Sequence, residues 1–227
     1  MNRAQAEAVL ITHGWLADAP AGLRRRVLDA CHVRQVAAGQ SIYQFDDEPA
    51  GILGLASGRL AMHLAAGPDD PTLFAHVTPG YWLADLALPP GAPRPVSAMA
   101  IEPSVLLRLP GNDVRALGAQ DPELALLFSL LININFGTTL AMMAVLRRVD
   151  LVERLAAMLC VLAGQDLADG WLIRVTQSQL AAMIVAGRTS LVDSLKALEQ
   201  RGLVAGVYGG VRVLDAAGLM AAARYTG

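Results

Sequence analysis

Cysteine is nearly absent: the 227 residues hold two, Cys31 and Cys160, far apart in the chain. One chain therefore carries neither a disulfide framework nor a four-cysteine zinc or iron–sulfur site, and a reducing, cytoplasmic setting suits such a sequence. Both thiols suit the role of small apolar fillers, while the neighbouring His32 leaves a redox-reactive Cys31 open as a second reading. The histidines His13, His32, His63 and His76 are scattered, with no two at the spacing of a metal pair on a strand or helix. Basic charge is not in excess either. Lysine and arginine number 18 against 20 acidic residues, a net charge of −2, which excludes a polycation that holds nucleic acid by bulk charge; any such contact has to be local. The first residues, MNRAQAEAVLITHGWLADAP, carry Glu7 and Asp18 and lack a long apolar core, so no signal peptide is expected. No internal repeat stands out.

Apolar residues are what the chain has in quantity, 54% of it, with a mean hydropathy of +0.43. From Leu124 to Leu146 the sequence LALLFSLLININFGTTLAMMAVL has no charged residue, a run long enough to span a bilayer. Asn133, Asn135, Thr138 and Thr139 interrupt its middle, where polar groups are costly in hydrocarbon. Leu124, Leu127, Leu131, Ile134, Thr138, Ala141 and Val145 follow the three-and-four spacing of a coiled-coil seam, and Leu126, Leu130, Leu140 and Met143 form a second apolar side. The pattern predicts a dimerisation helix that also packs on its own domains, with no membrane partner.

Before this helix, a helical segment Ala21–Cys31 precedes short apolar runs: Ser41–Gln44, Gly51–Leu55, Arg59–Leu64, Thr72–Val77, Val96–Ile101 and Val105–Leu109. Turn signals separate them, including Gly58-Arg59, Gly67-Pro68, Pro79-Gly80 and the stretch PPGAPRP. Many short strands so punctuated indicate a sandwich or jelly roll. After Arg148 come a helix Leu151–Ala163 stopped by Gly164 and a short strand Trp171–Val175. A helix capped by Thr176, with Gln179 completing a capping box, then runs through Ile184. Gly187 breaks the chain, a second helix runs from Arg188 or Thr189 to Arg201, and Gly202 occupies the C-cap place. The tail LVAGVYGGVRVLD is a hairpin turning at Tyr208-Gly209-Gly210.

Two short helices across a tight turn, followed at once by a hairpin, describe a winged helix-turn-helix whose second helix can lie in a DNA major groove. Ala181, Ile184, Leu191, Leu195 and Leu198 make its interior face; Arg188, Thr189, Ser190, Val192, Asp193 and Lys196 make the outward one. Thr176 and Gln177 are further candidates for phosphate contact, with capping and solvation as the competing roles. From Arg147 onward there are nine basic and seven acidic residues, so one half-site binds modestly and two linked half-sites are needed.

This order of segments resembles the Crp/Fnr transcriptional regulators, the family of the cyclic-AMP receptor protein and the fumarate–nitrate regulator, over nearly the whole chain. The resemblance implies an α+β chain: an N-terminal, cyclic-nucleotide-binding-like β jelly roll with its leading helix over 1–120, a dimerisation helix over 121–149, and a winged helix-turn-helix over 150–227. It implies a non-enzymatic, cytoplasmic homodimer that reads a palindromic double-stranded DNA site, acts through RNA polymerase, and senses a small-molecule effector. Arg188 matches the family's arginine at the start of the recognition helix, suited to a guanine edge. Thr189 stands where the family usually has glutamate and Asp193 where it has arginine, so the usual half-site is not expected.

The resemblance places an effector cassette at Leu83-Ala84-Asp85, Arg94 and Ser97, with Thr139 on the long helix facing a ligand's base or back-bonding within a packed interface. Ala84 replaces glycine, Asp85 replaces glutamate, and Pro95-Val96 separates Arg94 from Ser97, where the family has the two residues adjacent. These departures argue against a cyclic nucleotide, and the effector stays unknown; no iron–sulfur cluster, metal or catalytic residue is expected. Two other readings stand beside this one: a ligand-independent dimeric regulator, and a small-molecule-binding signalling protein whose winged helix contacts protein.

Overall fold

The computed structural model describes the chain except residues 13, 46, 48–50, 66–70, 85–93, 95, 165–166 and 225–227. It divides into two compact units, Met1–Phe136 and Gly137–Gly227.

The first unit opens with helices α1 (Arg3–Leu10) and α2 (Ala21–Asp29). Eight strands follow: β1 (His32–Val36), β2 (Ser41–Tyr43), β3 (Gly51–Ser57), β4 (Leu60–Ala65), β5 (Pro71–Val77), β6 (Trp82–Ala84), β7 (Val96–Ala100) and β8 (Ser104–Pro110). They form two four-stranded sheets in the orders β1-β8-β3-β6 and β2-β7-β4-β5, every pairing antiparallel. Apart from the β4–β5 hairpin, successive strands fall in opposite sheets, the winding of a jelly roll. Sequence periodicity misses β1, whose first residues are exposed, and β6, which is three residues long. It also misses α1 and α3 (Gly111–Gln120).

β3 shows no apolar alternation because both its faces are covered, from Gly51 through Ala56. Ile52 and Ala56 join a core cluster with Leu10, Trp15, Trp82, Leu107 and Leu109. Leu53 and Leu55, on the opposite face by the two-residue period of a strand, are also buried. Gly54 is required where α1 crosses: a Cβ there would come within 2.9 Å of the Leu10 and Trp82 side chains. The Trp82 indole N–H donates to the Leu10 carbonyl at 3.2 Å, and its ring meets Trp15 edge-on at 5.4 Å, so the helical layer is pinned by direction as well as by apolar area.

Helix α4 (Pro122–Leu146) begins in this unit and ends in the second. By length and composition it is able to cross a membrane, yet its Leu124, Leu127, Phe128 and Leu131 lie in the core cluster of the jelly-roll unit. One sequence expectation needs correction here. The side read as a coiled-coil seam is mostly covered within the chain: Leu124, Leu127, Leu131 and Val145 are buried and Thr138 and Ala141 half-buried, with Ile134 exposed. The side read as secondary is the more open one, with Leu126 at 72% exposure, Met143 at 58%, Leu140 at 47% and Leu130 at 45%. The helix is apolar all round, so its periodicity left open which side meets its own domain.

The second unit contains α5 (Leu151–Ala163), β9 (Leu172–Ile173), α6 (Gln177–Met183), α7 (Arg188–Gln200), β10 (Val204–Val207), β11 (Gly210–Val213) and α8 (Ala216–Ala222). The three strands form one sheet in the order β10-β11-β9. Asp150 caps α5 by accepting from the Glu153 N–H at 2.8 Å. Gly202, at φ +70°, closes α7 in a Schellman turn in which Leu203 N–H reaches the Leu198 carbonyl at 3.1 Å. The terminal helix α8 has no strong sequence signal: AAGLMAA holds one fully buried residue, Leu219.

Candidate nucleic-acid interface

Helices α6 and α7 and the β10–β11 hairpin build one surface. The Thr176 hydroxyl accepts from the Gln179 N–H at 3.2 Å while the Gln179 side chain accepts from the Thr176 N–H at 2.8 Å, a complete capping box. Thr176 and Gln177 remain exposed at that helix start. Between the helices the chain turns through Ile184 to Gly187, with the Ala186 N–H on the Ala181 carbonyl at 2.9 Å. Val185 takes the left-handed conformation in this turn, φ 52°, and is 73% exposed. Its β-branched side chain opposes that conformation.

Along α7 the two faces separate cleanly. Leu191, Leu195 and Leu198 are buried, as are Ala181 and Ile184 beneath them, whereas Arg188, Thr189, Ser190, Asp193 and Lys196 are exposed and Val192 half-buried. Ser194 is buried and satisfied, its hydroxyl donating to the Ser190 carbonyl at 2.8 Å. A polar face on a helix whose other face is anchored in a core is the geometry a major-groove reader needs.

The hairpin stands beside this face. A groove of about 790 Å³ lies between them, bordered by Arg188, Val192, Lys196 and Glu199 of α7 and by Val207 and Tyr208 of the hairpin. The Gly206 N–H donates to Glu199 Oε1 at 2.7 Å, tying the hairpin to the helix. Glu199 and Tyr208 were not among the site residues expected from sequence. Tyr208 had a signal, an aromatic side chain in a two-residue hairpin turn; the Glu199 contact depends on where the hairpin folds back and had none.

The effector candidates are placed less completely. Arg94 is buried at 2% exposure, its guanidinium 4.0 Å over the Tyr43 ring, a cation–π contact in a desolvated setting. Ser97 is half-buried on β7, opposite His63 of β4. Thr139 is half-buried on α4, in the second unit, and Asp85 lies outside the described residues. Among the described residues no group of histidine, cysteine or carboxylate side chains has the arrangement to hold a metal. Cys31 is fully buried, with its Sγ on the Val27 carbonyl at 3.3 Å. Burial pushes its thiol up to about 12, which argues against the redox-reactive reading and for the role of an apolar filler.

Residues 33–121 match the family model of the cyclic nucleotide-binding domain, and residues 153–222 match that of the Crp-like helix-turn-helix domain. Among solved structures the chain is similar to a CRP-family transcriptional regulator from Thermus thermophilus, at 25% identity and a TM-score of 0.64 over 84% of this chain and 96% of that one. It is similar as well to FixK2 from Bradyrhizobium japonicum, at 15% identity and a TM-score of 0.72, again over 84% of this chain and 96% of that one. A third is the c-di-GMP responsive global regulator CLP of Xanthomonas campestris, at 18% identity and a TM-score of 0.65 over 86% and 99% of the two chains. No curated protein matches the chain.

Proposed function

Given that the chain belongs to the Crp/Fnr family of transcriptional regulators, we propose that it works as a homodimer on a palindromic DNA site. Two copies of α4 pair, and two copies of α7 enter major-groove faces about one helical turn apart. On this reading 1–120 is the sensor, 121–149 the dimerisation helix and 150–227 the DNA-binding module. The pairing stripe is Leu126, Leu130, Asn133, Gly137, Leu140 and Ala144, exposed residues at alternating steps of four and three. That is the spacing of a coiled-coil seam, with Asn133 as a register-setting polar position.

The observation that carries the DNA reading is the exposed polar face of α7 on a buried apolar one. Arg188 reads a guanine edge, and Asp193 sets a preference away from the family's usual half-site by accepting from cytosine. Thr189 adds a polar contact beside Arg188. Ser190, Lys196, Thr176 and Gln177 contact phosphates and hold the register.

The sensor responds to a small molecule. Arg94 and Ser97 of the jelly roll, with Asp85 and Thr139, are its proposed contacts, and the altered cassette disfavours a cyclic nucleotide. The dimer works in the cytoplasm with RNA polymerase and catalyses no reaction. Duplexes selected by the full-length protein from a random library supply the test. Arg188→Ala should weaken specific binding by about 1–3 kcal/mol and relax preference at one base pair. A wild-type protein that selects no duplex at low salt overturns the reading.

A further inference from the structure

We propose that Tyr208, at the tip of the hairpin, is a non-ionic DNA contact: its ring covers a deoxyribose and its hydroxyl donates to the adjoining phosphate, across the groove from Arg188 and Lys196. The inference rests on the DNA-binding reading above and deepens it by adding a contact of a different physical kind.

Tyr208 is 105% exposed, so its whole side chain projects from the surface. A single exposed aromatic residue needs no explanation by itself; the setting supplies one here. The backbone beneath it is rigid. Val207 pairs with Gly210 across a two-residue turn, and Gly209 takes φ +74° there. Gly210 lies so close to β9 that a Cβ would come 2.5 Å from the Ile173 carbonyl oxygen. The bond from Gly206 to Glu199 then fixes the hairpin against α7. Tyr208 therefore stands at a set offset from Arg188 and Lys196 on the far wall of the groove, a loop tip held by a rigid scaffold.

The two walls differ in chemistry. Arg188 and Lys196 are the cations of the helical wall, with Glu199 engaged on Gly206. The part of the hairpin that lines the groove, Gly206 to Val211, reads GVYGGV and carries no charge; the one charged residue of the hairpin, Arg212, is outside that lining and donates to the Gly170 carbonyl at 3.0 Å. A DNA strand presents both surfaces in alternation: anionic phosphates, which suit the cationic wall, and apolar deoxyribose faces, which suit a phenol ring. An uncharged contact releases no counterions, so its contribution does not fade as salt rises. In a module with nine basic and seven acidic residues from Arg147 onward, such a contact supplies affinity that charge does not.

The test uses the full-length dimer and a duplex selected by it from a random library, with binding read by fluorescence anisotropy over a series of KCl concentrations. Tyr208→Ala should weaken binding about tenfold, the scale of one aromatic contact, by the same factor at every salt concentration. The slope of log affinity against log salt should match the wild type. Lys196→Ala should instead lower that slope by about one, and Tyr208→Phe, which keeps the ring, should lose less than Tyr208→Ala. Thermal melts of Tyr208→Ala should coincide with the wild type. Binding of Tyr208→Ala within twofold of wild type, a loss confined to low salt, or a phenylalanine variant as weak as the alanine one overturns the proposal. If the wild type binds and Arg188→Ala loses binding while Tyr208→Ala does not, this inference alone falls; if the wild type binds no duplex, the DNA-binding reading itself falls.

Discussion

The guanidinium of Arg154 donates to the carbonyl of Ile184 at 3.1 Å and, from Nε, to the carbonyl of Arg148 at 2.8 Å. One side chain on α5 thereby fastens the segment that leaves α4 to the turn that orients α7. Arg148 in turn donates to the carbonyls of Ala144 and Ala223. The start of the second unit is thus bonded to the turn before α7 and, past α8, to the Ala223 carbonyl.

Removing that fastening leaves two carbonyls without their charged donor. Arg154→Ala should lower the stability of the full-length protein by about 1–3 kcal/mol, read from urea denaturation. Arg154→Lys should recover only part, because an ammonium lacks the planar fork that serves both acceptors. An alanine variant as stable as the wild type would show the bonds to be dispensable.

Val185 should respond in the opposite direction. A β-branched residue at φ 52° is strained, and its exposed side chain gives little packing in return. Val185→Gly should raise stability by about 1 kcal/mol, the left-handed strain relieved less the added freedom of the unfolded chain. A lower denaturation midpoint would contradict this account of the turn.

The acid limb of the stability profile should contain His76. Neither of its ring nitrogens has a hydrogen-bond partner among the described residues, and burial, with Arg59 and His63 nearby, holds it down to about 4. Above the ordinary histidine value of 6.5 both the folded and unfolded states are neutral, and the group has no effect on stability. As pH falls below 6.5 the unfolded chain takes up the proton first, so stability declines, and the decline levels off below about 4. His76→Gln should flatten the profile between these limits; an unchanged profile would assign the limb to other groups.

Both thiols should be silent in the native protein. Burial raises Cys31 to about 12 and Cys160 to about 11, so a disulfide reagent at neutral pH should titrate neither until denaturant is added, and both afterwards. Rapid native labelling of either would contradict the burial.

Dimerisation should fail when the open side of α4 is charged. Leu140 is 47% exposed, so Leu140→Glu costs the isolated protomer little, but in the proposed seam it sets two carboxylates against each other. Sedimentation should show a dimer for the wild type and a protomer for the variant, with weaker DNA occupancy because the half-sites are no longer linked. A dimeric variant would move the interface elsewhere.

What the sequence determined by itself is what neighbouring residues decide among themselves. The Thr176–Gln179 capping box, the Gly202 stop of α7 and the turn at Tyr208 and Gly209 were legible because each depends on groups a few residues apart. The buried face of α7 was legible because its apolar spacing is one-sided. Only the tertiary structure decided which side of α4 is covered, since a helix apolar all round packs by either side. It alone set Arg94 against Tyr43 and Arg154 against Ile184, 30 residues away, and brought the Trp82 indole to the Leu10 carbonyl, 72 residues away. Periodicity reveals that a surface must be covered; the covering partner is selected by the packing of the whole chain.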